Sequence, residues 1–179
     1  LGKIEEKNIS SIVKVNGKID VPPQNMVSVS IPLGGYLKST KLLPGMHLNK
    51  GEVIAVMEDQ RYIELQQDYL SSKSKLKYAD AELKRQQELN KNQAASDKVL
   101  QQAELEFQTQ KINLNALSEK LKMLGLNPQS LTEEAISKSI NIYSPIDGYV
   151  SKVNVNIGKF VNPTDVLFEL VNPTDIHLN

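Results

Sequence analysis

Two histidines, His47 and His177, and four methionines, Met26, Met46, Met57 and Met123, are the residues able to ligate a soft metal, because cysteine is absent. Such a metal wants thioether, thiolate or imidazole donors in a cluster. Only Met46 and His47 are neighbours, while Met57 and Met123 fall among apolar positions that read as packing. No metal site is expected. Nucleophilic catalysis needs a serine, a histidine and an acid in mutual reach, phosphate chemistry a glycine-rich loop before a helix, and acid–base chemistry two carboxylates in unlike settings. None of these patterns stands in the sequence, so no catalytic residue and no cofactor site is assigned and the chain is not expected to be an enzyme. The lysines and glutamates of 73–119 read as solvated helix faces.

The 179 residues carry 21 Lys and Arg against 21 Asp and Glu, a balance that offers nothing to nucleic acid or to an anionic membrane surface. No apolar run approaches the roughly 18–20 residues that span a bilayer. Leu1 is not an initiator methionine. The chain is expected to start at a processing boundary, with any targeting or anchoring segment lying outside it.

An internal repeat organises the rest. Residues 27–57 align without gaps on 140–170 at a constant offset of 113. Pro32, Gly35, Tyr36, Gly45, Asn49 and Val53 fall on Pro145, Gly148, Tyr149, Gly158, Asn162 and Val166. Each half alternates apolar and polar residues, with Val27, Val29 and Ile31 on one face, then Val53, Ala55 and Met57. Period two with β-branched residues predicts half-buried strands. Pro-x-x-Gly-Tyr predicts a tight turn in which glycine is free to take positive φ. Three or four short strands cannot bury a core alone. The two halves must therefore pack together as a small sandwich or flattened barrel.

Between them the pattern changes. From Gln60 to Leu124 there is neither proline nor glycine. Tyr62, Leu65, Tyr69, Ser72, Leu76, Ala79 and Leu83 keep heptad spacing, as do Leu100, Ala103, Phe107, Gln110, Leu114, Leu117, Leu121 and Leu124. Two such runs around a polar break at 90–95 predict paired helices. A single continuous helix is the alternative, but the halves of the repeat must come back together, which favours an antiparallel hairpin. Ser96 and Asp97 supply an N-cap and first-turn acid for the second helix, and Gly125 with Asn127-Pro128 ends it. Arms of about 31 residues make a rod of roughly 45 Å, which must project from the β body. At the ends, Asn16-Gly17 predicts a hairpin turn within 9–19, and 176–179 reads as the start of another strand.

A repeat of this form resembles the lipoyl/biotinyl carrier fold, and a helical hairpin at its midpoint resembles the periplasmic adaptor (membrane-fusion, HlyD-type) family of tripartite efflux systems. The run SPIDGYV at 144–150 is similar to that family's signature, and LKMLGLN at 121–127 resembles its heavy-metal (cation) efflux branch. The fold class so implied is mixed β plus coiled coil: a split lipoyl-like β-sandwich with an inserted antiparallel α-helical hairpin, flanked by incomplete β-barrel strands. Residues 24–58 plus 140–171 would form the lipoyl-like domain, 59–127 the hairpin, 128–139 a connecting loop, and 1–23 and 172–179 the edges of a β-barrel domain. The tip spells Arg85-x3-Leu89-x6-Ser96, which matches the adaptor family's motif for docking a TolC-like outer-membrane channel. The resemblance further implies an inner-membrane pump of the resistance-nodulation-division type as partner and self-association into a ring. It places the chain in a Gram-negative periplasm, held to the inner membrane by a segment outside this chain. A type I secretion or ABC-linked adaptor is the alternative within that class, and a lipoyl or biotinyl carrier module the alternative outside it. Carriers present their lysine on a tight β-turn. Here an insertion takes that place, and the lookalike Lys122 lies in a helical heptad.

Overall fold

The structure, a computed structural model, describes Gly2, residues 19–174 and residues 177–178. The first half of the repeat contributes β2 (Met26–Val29), β3 (Gly35–Thr40), β4 (His47–Leu48) and β5 (Val53–Glu58), after a short β1 (Ile19–Asp20). Two helices follow, α1 (Gln60–Lys91) and α2 (Asp97–Met123). The second half supplies β6 (Ser139–Tyr143), β7 (Gly148–Val153), β8 (Phe160–Val161) and β9 (Phe168–Val171), before β10 (His177–Leu178).

The halves do more than pack: they exchange strands. One four-stranded sheet runs β2-β9-β7-β4 and the other β6-β5-β3-β8. Each sheet draws two strands from each half, and shifting the first order by one repeat produces the second. Details repeat as well. β3 and β7 have the same alternation of burial, and a bulge falls between Leu37 and Ser39 on one and between Val150 and Lys152 on the other. Gly45 N–H donates to the Val150 carbonyl, and Gly158 N–H to that of Leu37, each at 2.8 Å. Neither half could close its backbone hydrogen bonds without the other, and unpaired buried backbone groups are costly. Leu37, Met57, Ile140, Val150, Phe168 and Leu170 fill the space between the sheets. Each stabilises the fold by roughly 1.5–3 kcal/mol through burial.

Two readings of the strands are corrected. Val53 is 47% exposed, whereas its neighbours Ile54 and Ala55 are both buried. A register shift between Val53 and Ala55 breaks the alternation, and a bulge of this kind is invisible to period-two counting. Gly35 does take positive φ, at 137°, but Gly148 does not. The second glycine is needed for space, because a Cβ there would press on the Val171 carbonyl.

The inserted segment is a hairpin. Residues 92–96 join α1 to α2, and the two helices pack along their length. With 32 residues, α1 is about 48 Å long. Every residue of the expected heptad seam is at least half-buried, with Tyr62, Leu65, Tyr69, Leu121 and Leu124 merging into the β core at the base. The connection from α2 to β6 contains two single-turn 3-10 segments, Pro128–Ser130 and Glu133–Ala135. Buried Gln66 grips that connection, its amide donating to the Ser137 carbonyl (2.7 Å) and accepting from Ser137 N–H (3.2 Å).

At the ends, β1 and β10 pair antiparallel, Ile19 opposite Leu178 and Asp20 opposite His177, so the chain enters and leaves side by side. No closed barrel stands among the described residues. The hairpin expected around Asn16-Gly17 lies outside them. The fold class is as expected: two β layers of a lipoyl-like kind with an inserted helical hairpin.

Candidate functional site

The tip of the hairpin is built by backbone geometry. Asn92 caps α1, Gln93 takes the left-handed conformation at φ 57°, and Gln93 and Ala94 N–H donate to the carbonyls of Asn90 and Leu89, each at 2.9 Å. This is a Schellman ending. The base of α2 ends the same way, but with Gly125 at φ 74° in the left-handed position. A non-glycine residue there costs about 1–2 kcal/mol. Gln93→Gly is therefore expected to stabilise the tip by about 1 kcal/mol, read as a roughly fivefold slowing of amide exchange at Ala94. Unchanged exchange would mean that the turn carries no strain.

Arg85 and Leu89 stand four residues apart on α1 and share one face. The Arg85 guanidinium pairs with Glu82 and is largely exposed. Leu89 is 38% exposed, an apolar side chain where the seam runs out. Ser96 lies across the turn, at the start of α2. Its backbone carbonyl accepts from Val99 N–H (3.0 Å) and Leu100 N–H (3.3 Å), but its hydroxyl makes no capping bond. Ser96 holds the expected N-cap position, but the side-chain capping bond expected of it is not made. Asn90 does that work instead, its side-chain amide donating to the Ala95 carbonyl (3.3 Å) and to Asp97 Oδ1 (2.9 Å). Asn90 sits in the polar break, and only the folded turn shows what it reaches.

The base of the hairpin is a second arrangement that sequence reading did not single out. Asp59 caps α1, accepting from Arg61 N–H at 2.8 Å, and the Arg61 side chain returns two hydrogen bonds to the same carboxylate at 2.8 and 2.9 Å. Those side-chain bonds hold the Asp59 carboxyl below its ordinary range. The guanidinium lies 5.9 Å from the Phe160 ring centre, and Phe160 meets Tyr36 edge-on at 5.0 Å. Glu58, held down chiefly by its hydrogen bond from Lys138, also faces Lys38 at 3.6 Å. Buried Tyr62 donates its hydroxyl to the Gly34 carbonyl. Strand, helix and returning strand are thereby locked at one corner, which lets a lever project with a fixed direction.

The remaining candidates stay apart. His47 packs edge-on against Tyr149 at 5.0 Å, and Met46 Sδ accepts from Leu43 N–H at 3.2 Å. Met57 is buried in the core as expected, whereas Met123, expected to pack beside the seam, is 66% exposed at the rim of a groove it shares with Arg61, Glu64 and Asp68 of α1. No group of three potential metal ligands occurs among the described residues. Lys122 lies within α2 and pairs with Glu119 at 2.7 Å. It is not on a β-turn. No described helix is long and apolar enough to cross a membrane.

Residues 25–172 match the family described as CzcB-like, barrel-sandwich hybrid domain. No curated protein matches the chain. Among solved structures, ZneB from Cupriavidus metallidurans is similar at 21% identity and TM-score 0.60 over 90% of this chain and 66% of its own. A MacA-MexA chimera containing the Pseudomonas aeruginosa MexA α-hairpin domain is similar at 21% identity and TM-score 0.61, over 87% of this chain and 50% of its own. A membrane fusion protein from Streptococcus pneumoniae R6 shares 18% identity at TM-score 0.51, over 90% and 64%. This chain therefore spans only half to two thirds of those structures. Strand-exchanged sheets, inserted hairpin and a family match over most of its length agree, and the chain belongs to the CzcB-like, barrel-sandwich hybrid domain family.

Proposed function

We propose that this chain is the central part of a periplasmic adaptor that bridges an inner-membrane efflux pump and an outer-membrane exit channel in a Gram-negative bacterium. In this reading 24–58 plus 140–171 is the lipoyl-like domain, 59–127 the hairpin and 128–139 its connecting loop. Residues 1–23 and 172–179 lead into a β-barrel domain, and the membrane anchor lies outside the chain. Copies assemble as a ring, the pump is of the resistance-nodulation-division type, and a TolC-like channel receives the tip through Arg85, Leu89 and Ser96. The work is interface geometry, with no cofactor and no bond chemistry.

One observation carries the reading. A lever of about 48 Å, locked at its base by Asp59, Arg61 and Tyr62, ends in a shaped turn beside which Leu89 is exposed on the same face as Arg85. Arginine is enriched among the residues that dominate interfaces, and an exposed leucine beside it gains by being buried in a partner's pocket. Lys122, paired within a helix, argues against a carrier module.

The test uses the full-length protein in its host. Arg85→Asp and Leu89→Ala are each expected to reduce capture of the cognate channel at least tenfold, as removal of a hot-spot side chain costing over 1.4 kcal/mol would. Lys77→Asp, further down α1, should leave capture intact. Full capture and full efflux resistance in both tip variants would overturn the assigned docking role.

A further inference from the structure

Gln66 is out of character for its place. It follows the seam residue Leu65 on α1, where a coiled coil carries a solvated side chain, yet it is 1% exposed. Its Nε2 donates to the Ser137 carbonyl at 2.7 Å and to the Tyr62 carbonyl at 2.5 Å, and its Oε1 accepts from Ser137 N–H at 3.2 Å. A primary amide carries the same kinds of donor and acceptor as a peptide group, which explains the pairing. β5 and β6 run antiparallel with Glu58 opposite Ser139, and Asp59 N–H donates to the Lys138 carbonyl at 3.0 Å. Beyond Asp59 the first strand gives way to α1, so Ser137 has no strand residue left to face. Gln66 reaches back from the second turn of the helix and supplies the missing pair.

The connection it holds is a strap, residues 128–139, that returns from α2 to β6 beside α1. Pro128 and Leu131 are buried near one end, and Gln66 holds Ser137 near the other. Between those points the strap stands off the helix. Clefts of about 580 and 400 Å³ lie between them, lined by Leu70, Lys73 and Lys77 of α1 and by Glu133, Glu134 and Ile136 of the strap. Among the described residues, the hydrogen bonds from α1 to the strap are those of Gln66. The corner of Asp59, Arg61 and Tyr62 fixes the start of α1, but a rod held at one end alone can swing. An attachment about one helical turn further on removes that freedom. The leverage is large: on an arm of about 48 Å, a tilt of about 10° at the base moves the tip by about 8 Å.

We infer that Gln66 sets the direction of the hairpin: standing in for a strand residue against Ser137, it fixes the lever to the β body and so determines where the tip arrives. It is a positioning residue, acting on a partner only through the tip. Its consequence for docking rests on the proposed function, but the direction of the hairpin can be measured with no channel present.

The 179 residues hold no cysteine, so spin labels can be introduced in pairs at chosen sites. In the full-length protein, labels at Gln87→Cys toward the tip and Lys152→Cys on β7, both exposed, report the hairpin against the body. Gln66→Met keeps the length and the apolar stem of the side chain and removes its bonds to Ser137. It is expected to broaden the label-to-label distance distribution roughly twofold, as the second attachment opens. Without labels, it should reduce channel capture about tenfold, because a swinging tip must be ordered on binding. Val150→Ala is the control for stability alone. It hollows the β core without touching the strap, so it should lower the melting temperature and leave the distribution at its original width. A distribution unchanged by Gln66→Met, or broadened as much by Val150→Ala, would overturn the positioning role. So would a broadened distribution with full channel capture. The tip variants keep the two ideas apart: full capture by Arg85→Asp and Leu89→Ala sinks tip docking alone, and a narrow distribution in Gln66→Met sinks the role of Gln66 alone.

Discussion

Tyr62→Ala should destabilise the protein by about 3–5 kcal/mol, the range for deleting a fully buried aromatic side chain. Tyr62 is the first seam residue of α1, its ring is completely buried in the β core, and its hydroxyl donates to the Gly34 carbonyl in the turn before β3. It thus belongs to hairpin and body at once. Urea unfolding followed by circular dichroism should show helix and sheet signals losing stability together. A loss below about 1 kcal/mol would mean that the hairpin is not tied to the core through this residue. Tyr62→Phe keeps the ring and strands the carbonyl, so it should cost about 1–3 kcal/mol. The two proteins should also differ in alkali. Burial first, and the negative charge of Asp59 second, push the Tyr62 hydroxyl up to about 12 from an ordinary 10.0. The folded state therefore holds this proton more tightly than the unfolded state. The stability it contributes is complete below pH 10 and is lost as the pH rises from about 10 to about 12. Tyr62→Phe should lack that limb of the pH profile.

Gly148→Ala should cost about 3 kcal/mol, the upper end of the usual range for overpacking a close-packed site. The added Cβ would press on the Val171 carbonyl oxygen, with the carbonyl carbon 3.0 Å away, and both atoms belong to the backbone of β9. Tyr149 pairs with Val171 in the ladder, so β7 and β9 could accept the methyl only by parting. Gly158→Ala is the control. It meets nothing within 4 Å but sits at φ 83°, so it should cost only the roughly 1–2 kcal/mol of a left-handed alanine. Calorimetric melting of the two variants decides the matter. Equal losses would mean that β7 and β9 yield to the methyl and that glycine is not required at 148 for space.

The heptad seam was fully legible in the sequence. Spacing of three and four residues along one helix is local, and the residues from Tyr62 to Leu124 that keep it are the ones the hairpin shields. The repeat was equally plain, and with it the need for two halves to share a core and drive the segment between them outward. What the sequence could not say is which strands of which half become neighbours. Hydrogen-bond register between the halves is a relation between residues 81 to 145 positions apart, so the exchange of strands between sheets and the bulge that turns Val53 outward appear only once the sheets are assembled. The same holds at both ends of the hairpin. Ser96 looks like a capping side chain because its type and place are right, yet Asn90, across the turn, holds the tip. Arg61 is an ordinary helix-start cation until folding sets Phe160, ninety-nine residues later, beneath it. Periodicity along the chain decided which elements form and which faces they hide. The tertiary structure decided what each polar group at their ends can reach, because a hydrogen bond depends on ångström distances that no spacing along the chain contains.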